Sequence, residues 1–143
     1  MNKNNYRNKP IYKTMKTELG VHNHFRLALR EWKEASLEEC NRTCIITGTK
    51  DNLEVHHINK KFVDIVREAY KSLGKTFRFR KDEYYLGELD EIAEEVVKLH
   101  FKYGLGVAIT RSTHRQYHRI YKDNINPKTL HQFSEDFKSN KIA

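Results

Sequence analysis

The sequence predicts an α+β fold in which two short strands, far apart in the chain, enclose a helical insertion and are followed by a helix. An apolar run at 53–58 contains two adjacent histidines, and a second apolar run at 106–110 leads into a basic segment with two more. Between these runs, residues 59–104 carry apolar side chains at helical spacing. The 143 residues suffice for a domain with its own core, so we expect a single domain over 1–143.

Charge and cysteine content restrict the class of protein. The formal net charge of +8 at pH 7 favours a polyanionic partner, with nucleic acid first. Two cysteines, Cys40 and Cys44, do not make a disulfide framework and indicate a reducing, intracellular compartment. No apolar run approaches the roughly 20 residues of a membrane span, and the N-terminus lacks the apolar part of a signal peptide. We therefore expect a cytoplasmic protein that does not associate with membranes.

The part of the chain before the first strand divides into three predicted segments. Residues 1–20 should form a basic, flexible arm, which is either a solvated tail or a segment that lies along DNA phosphates. A helix is expected from Phe25 to about Cys40, with Trp32 as a core anchor. Cys44 to Ile46 should form a short strand, followed by a turn that leads into the run at 53–58.

The insertion at 59–104 is predicted to be a helical hairpin, because loops of that length rarely lack structure in compact domains. Its first helix should run from Lys61 to Leu73, with Gly74 as a C-terminal stop. Its second should run from Asp82 to Tyr103 and end at Gly104.

The link between the two helices, residues 75–81, is basic and aromatic. We expect it at the exposed tip of the hairpin, with Arg78 and Arg80 contacting DNA phosphates. At least one of Phe77 and Phe79 should pack beneath the hairpin. The alternative is that this link is only structural and that its charges are solvated.

After the insertion, Gly106 to Thr110 should form the second strand, and Thr110 or Ser112 should cap the helix that follows. Residues 105–122 then complete a core with residues 53–58. A C-terminal helix is expected over 126–140, because Asn126 suits an N-cap and Pro127 suits the first helical position.

The four histidines of this core allow two different roles. Successive side chains on a strand point to opposite faces, so His56 and His57 cannot share one role. His114 and His118 are four apart on a predicted helix and lie on one face. One strand histidine and the helix pair supply three imidazoles, which leaves one coordination position of the metal open. The second strand histidine is then free to handle a proton. That combination is typical of metal-assisted hydrolases. A zinc protease is disfavoured, because Arg115 follows His114 where that class needs Glu as its base.

These residues and their order resemble the HNH, or His-Me finger, nucleases, whose ββα-metal core holds one divalent ion, and the colicin-type DNases in particular. The resemblance covers 44–58 and 105–122. It implies that His56, His114 and His118 bind the metal and that His57 is the general base. It also implies hydrolysis of DNA phosphodiester bonds: the metal stabilises charge on the phosphate and the leaving 3′ oxygen, and His57 takes a proton from the attacking water.

Two features depart from the family pattern. Cys44 stands alone where many members have a Cys-x-x-Cys pair, so no structural zinc is expected. The middle Asn of the family should fall near Leu105, where there is none, and we assign the bracing of the loop above the metal to Asn59.

The resemblance and the three predicted imidazole ligands together indicate which metal ions and which partner the protein binds. Three imidazoles suit a bound Zn²⁺, Ni²⁺ or Co²⁺, whereas Mg²⁺ or Mn²⁺ is the expected working ion in cells. The expected partner is DNA, contacted by the basic side chains near the core as well as by Arg78 and Arg80. Those near the core are Lys60, Lys61, Arg111, Arg115 and Arg119.

The chain resembles small HNH proteins encoded by phages and mobile elements, acting in a bacterial host cell. The alternatives are a metal-stabilised module that binds DNA without cutting it and an accessory protein of phage packaging. The presence of His57 disfavours the module that binds DNA without cutting it, because a purely structural metal site needs no free base. Sequence specificity, nicking against double-strand cleavage, and monomer against homodimer stay open.

Overall fold

The computed structural model describes residues 18–139, which contain six α-helices and one two-stranded antiparallel sheet. The predicted α+β class is confirmed. The basic arm lies outside the described residues up to position 17, whereas positions 18–20, predicted to be flexible, belong to a helix. In chain order the elements are α1 (Glu18–Ala28), α2 (Arg30–Glu39), β1 (Leu53–His56), α3 (Phe62–Ser72), a 3₁₀ turn (Lys81–Glu83), α4 (Glu88–Tyr103), β2 (Val107–Thr110), α5 (Arg111–Tyr121) and α6 (Pro127–Lys138).

The described chain divides into two compact units. The first comprises residues 18–31 and 62–102, and therefore holds α1 together with most of the insertion. The second comprises residues 32–61 and 103–139 and holds the sheet with α5 and α6. Within residues 18–139, no helix combines the length and the apolar character that crossing a bilayer requires.

The sheet of the second unit pairs the two predicted strands. Leu53 lies opposite Thr110 and His56 opposite Val107 in an antiparallel register. The predicted strand at Cys44–Ile46 is wrong, because those residues lie in a turn. One backbone hydrogen bond, from Ile45 N–H to the carbonyl of Ala108 at 3.0 Å, joins this turn to β2. A single such bond does not extend the sheet.

The core of the second unit lies among β2, α5 and α6. Ile109, Tyr117 and Phe133 are fully buried, and the rings of Tyr117 and Phe133 have centroids 5.3 Å apart. Helix α6 begins as predicted, with Asn126 and Thr129 forming a reciprocal capping box. Both α5 and α6 are thereby fixed against β2, the strand that precedes His114 and His118.

The first unit buries the apolar faces of α1, α3 and α4. Ile65, Val66, Ile92 and Val96 are buried on the two insertion helices, so the long connection contains two helices with buried apolar faces, as predicted. The helix predicted from Phe25 to Cys40 is not continuous. The chain turns at Leu29, whose N–H bonds to the carbonyl of Arg26 three residues earlier, so α1 ends and α2 begins there.

The second insertion helix begins at Glu88 rather than at Asp82. Gly87 adopts a φ of +83°, which residues with side chains rarely adopt, and this breaks the helical path. The Glu88 carboxylate then accepts hydrogen bonds from Lys75 and Arg78. Burial alone would raise the pKa of Glu88, but these hydrogen bonds outweigh it and hold the pKa below its usual range.

Candidate metal centre

Three of the predicted histidines converge in the second unit. Nδ1 of His56 lies 3.0 Å from Nε2 of His114, and Nε2 of His118 lies 3.1 Å from that same atom. The three potential ligand atoms all lie within 4.8 Å of one another. The predicted convergence of a strand histidine with a helical pair is therefore confirmed, and the strand histidine is His56.

The surroundings of the cluster keep its inner ligand neutral. His56 is only 3% exposed and its ring packs edge-on against Tyr117. Burial, followed by the charges of His114 and His118, lowers the pKa of His56 to about 3. Burial and the neighbouring His114 also lower the pKa of His118. A neutral imidazole presents the lone pair that a metal needs, so the donors suit a cation near pH 7.

Glu54 completes the cluster and was missed by sequence reasoning. Nδ1 of His114 donates a hydrogen bond to Oε1 of Glu54 at 3.2 Å, which leaves Nε2 of His114 facing the other two histidines. Such a carboxylate fixes the tautomer and raises the basicity of a ligating imidazole. The sequence spacing could have indicated this placement, because residues two apart on a strand share a face and Glu54 precedes His56 by two.

His57 has a different environment from its neighbour. Its ring stacks on the indole of Trp32, with centroids 4.7 Å apart and planes inclined by 26°. Trp32 is 2% exposed and its Nε1–H donates to the carbonyl of Gly104 at 3.1 Å, so the platform under His57 is fixed. Trp32 is a core anchor, as predicted, but its contact with His57 was not foreseen. The role of His57 as base stays a prediction.

The segment before β2 approaches this platform closely. A Cβ on Gly106 would lie 2.6 Å from the carbonyl oxygen of His56 and 2.9 Å from the indole of Trp32, so glycine is required there. Asn59 donates from Nδ2 to the carbonyl of Tyr103 at 2.7 Å. It thus ties the chain after β1 to the chain before β2, while its bracing of a loop above the metal stays a prediction.

The basic side chains predicted near the core differ in their surroundings. Arg111, Arg115 and Arg119 are all exposed on α5, the helix that carries two of the clustered histidines. Lys60 donates to the hydroxyl of Tyr103 at 3.1 Å, and Lys61 donates to the carbonyl of Asp123 at 3.5 Å. Lys61 is exposed like the three arginines, whereas Lys60 is half-buried.

The two arginines of the insertion belong to the first unit, and one is not placed as expected. The side chain of Arg78 is only 23% exposed, because it pairs with Glu88 at 2.8 Å and donates to the carbonyl of Glu83. The prediction that it lies open at a tip is wrong for this residue. Arg80 is more exposed and pairs with Asp82 at 2.6 Å.

The described residues fit a divalent ion at the histidine cluster. Three neutral nitrogens from one strand and one helix converge there, and a carboxylate supports one of them from behind. Three imidazoles are a ligand set that Zn²⁺ and neighbouring transition ions favour, and they leave room in the coordination sphere for a substrate oxygen.

Comparison with known proteins gives one informative relative. Over 43 residues the chain is 42% identical to the SPbeta prophage-derived uncharacterized protein YomD of Bacillus subtilis (strain 168). The match covers 30% of this chain and 16% of that protein. No family model matches the chain, and no solved structure matches it.

Proposed function

We propose that this protein is a metal-dependent HNH endonuclease that hydrolyses DNA phosphodiester bonds. The observation that carries the proposal is the convergence of His56, His114 and His118, with His57 adjacent in sequence but in a separate environment. Two antiparallel strands followed directly by a histidine-bearing helix agree with the ββα-metal core of that family. The alternatives of a structural metal site or a packaging accessory leave the separate, stacked imidazole without a role.

In this proposal His56, His114 and His118 hold the ion. When bound, the ion supplies Lewis acidity toward the scissile phosphate and the leaving 3′ oxygen. Glu54 holds His114 in the tautomer that leaves Nε2 free as a ligand. Burial keeps His56 neutral across the physiological range, so protons do not compete with the metal for it.

His57 serves as the general base. Its imidazole accepts a proton from the water that attacks phosphorus, and histidine suits this task because its ordinary pKa lies close to neutrality. The stack on Trp32 restricts the orientation of the ring, so the accepting nitrogen is positioned before DNA binds. The products are a 3′-hydroxyl and a 5′-phosphate.

The DNA backbone lies along α5. Arg111, Arg115 and Arg119 recur every four residues and are exposed on the helix that carries His114 and His118. Phosphate contacts of this kind fix the register of the protein on DNA without reading sequence. We assign Lys60, Lys61 and Arg80 to weaker contacts, and Arg78 to the stability of the first unit because Glu88 holds it.

The setting is that of a phage or another mobile element. The relative named above carries the words prophage-derived in its name, which supports this origin for the matched segment. The substrate in that setting is DNA within a bacterial cell.

The proposal is tested by incubating supercoiled plasmid with metal-stripped protein, alone and after addition of Mg²⁺, Mn²⁺, Zn²⁺, Ni²⁺ or Co²⁺. We expect no cleavage by the stripped protein and conversion to nicked or linear DNA with at least one ion. A protein that binds DNA and metal but cuts with none of the ions is instead a non-cleaving, metal-stabilised DNA-binding module.

A further inference from the structure

The first unit carries a groove that the proposed catalytic site does not use. Its volume is about 520 Å³, within the range of roughly 300–1,000 Å³ that is typical of small-molecule sites. Residues from α1, from α3 and from the link after α3 line it. They are His22, Val63, Val66, Arg67, Tyr70, Lys71, Lys75, Phe77 and Phe79.

The floor of the groove is aromatic. The ring of Phe77 contacts His22, Tyr70 and Phe79, with centroid separations of 5.2–5.3 Å. The hydroxyl of Tyr70 is held by that of Tyr84 at 2.7 Å, so this part of the floor is fixed. Phe79 differs from the others because 58% of it is exposed, although an apolar ring of that size gains from burial.

The rim of the groove is cationic. Arg67, Lys71 and Lys75 line it, and none of the lining residues within the described part of the chain is a carboxylate. Lys75 is held by Glu88 and by the hydroxyl of Tyr85. Arg67 pairs with Asp64 but its side chain is 76% exposed, and Lys71 is exposed on the next turn of α3. An occupant must therefore offer a flat apolar surface to the floor and negative charge to the rim.

We propose that this groove binds an unpaired nucleobase together with its adjoining phosphate, as part of a single strand of nucleic acid. Bases stack on aromatic side chains in sites that bind single strands, while cations beside them follow the backbone. Phe79 and Phe77 supply the stacking surface, and Lys71 and Arg67 contact the phosphate. This site belongs to the first unit and does not depend on the metal or on the endonuclease proposed for the second.

An acidic peptide with an aromatic side chain is the other class of ligand that the rim would attract. We favour nucleic acid because a nucleotide joins one flat ring to one phosphate, which matches an aromatic floor beside a cationic rim.

The test measures binding of a fluorescein-labelled oligothymidylate of about 12 nucleotides by anisotropy, in EDTA so that no cleavage occurs. Phe79→Leu keeps an apolar side chain but removes the ring, and it should raise Kd roughly 10-fold. Lys71→Ala should raise Kd several-fold and lower the salt slope of log Kobs by about 0.7. An oligonucleotide with 5-iododeoxyuridine should photo-cross-link to the peptide that contains Phe77 and Phe79.

The matched controls are Phe101→Leu and Lys98→Ala, which change an exposed ring and an exposed cation of α4 away from the groove. Both should bind the oligonucleotide like the wild type. Wild-type affinity in Phe79→Leu, equal competition by duplex of the same length, or stronger displacement by an acidic aromatic peptide would overturn the proposal.

Discussion

At the scale of single residues, the clustered histidines depend on neighbours that do not contact a metal themselves. Glu54 holds Nδ1 of His114, and Trp32 holds the ring of His57. Gly106 makes room for the indole, because any side chain there would meet the backbone of His56. The orientations of the His114 and His57 rings are therefore restricted by residues from outside the histidine pattern.

Replacing Glu54 with Ala should weaken metal binding without abolishing it. The change removes the carboxylate that orients His114 but leaves all three imidazoles, and losses of about 10–100-fold are typical for such supporting residues. Competition with a chromophoric chelator for Zn²⁺ measures the effect. Glu135→Ala, an exposed acid on α6, serves as control. Equal Zn²⁺ affinity in Glu54→Ala and the wild type would remove Glu54 from the site.

The buried His56 should make the metal-free protein less stable in mild acid. Its pKa falls from the ordinary 6.5 to about 3 on folding, so between these values the unfolded chain takes up a proton that the folded protein excludes. The free energy of unfolding should be unaffected by His56 above pH 6.5. It should decline as pH falls below that, by roughly 1–2 kcal/mol between pH 6.5 and pH 5.

Urea unfolding of the EDTA-treated protein at pH 7.5 and pH 5 measures this decline, with His56→Gln as the comparison. His118, whose pKa is also lowered, acts in the same direction in both proteins, so their difference isolates His56. An identical decline in the two proteins would show that His56 accepts a proton in the folded state.

At the scale of elements, α5 follows the sheet without an intervening loop and carries two of the clustered histidines. Thr110 is both the last residue of β2 and the N-cap of α5, since its hydroxyl accepts the N–H of Thr113. Tyr117 anchors one side of the helix in the core, which directs His114 and His118 toward His56. Because α5 is fixed at its start and along one side, His114 and His118 keep fixed positions relative to β1.

The arginines of α5 should account for part of the salt dependence of duplex binding. Each of Arg111→Ala, Arg115→Ala and Arg119→Ala should weaken affinity similarly for unrelated sequences and lower the salt slope of log Kobs by about 0.9. Electrophoretic mobility shifts at several salt concentrations measure the slope. The control is Lys128→Ala, an exposed cation on α6. If the control lowers the slope as much as the arginine variants do, the effect is one of net charge and α5 is not the contact surface.

At the scale of the whole molecule, the sequence predicted those helices and strands whose formation depends on residues close together in the chain. The alternating strand at 53–56, the capped helix after Thr110 and the start of α6 at Pro127 all depend on neighbouring residues, and each was predicted to within a few positions. Two amphipathic helices inside the insertion were predicted for the same reason. The cluster of His56, His114 and His118 was predictable because its three residues obey the two periodicities of strand and helix.

Features that depend on distant contacts were not predicted. Cys44 to Ile46 has a strand-like composition, yet only one backbone bond reaches β2 from that turn. Helix α4 starts at Glu88, after the positive φ of Gly87, and the buried carboxylate of Glu88 is held by Lys75 and Arg78 from the preceding link. Trp32 meets His57 only after the chain between them has folded. No periodicity within one segment encodes such pairings.

The separate roles proposed for the histidines, general base and metal ligand, are tested most directly by measuring both metal affinity and plasmid cleavage for His57→Ala and His118→Ala. His57→Ala should bind Zn²⁺ or Ni²⁺ like the wild type in calorimetry but cut about 10²–10⁴-fold more slowly, because only the base is lost. His118→Ala should lose metal affinity and cleavage together, and His131→Ala, an exposed histidine on α6, should lose neither. Wild-type cleavage by His57→Ala, or wild-type metal affinity in His118→Ala, would contradict the account.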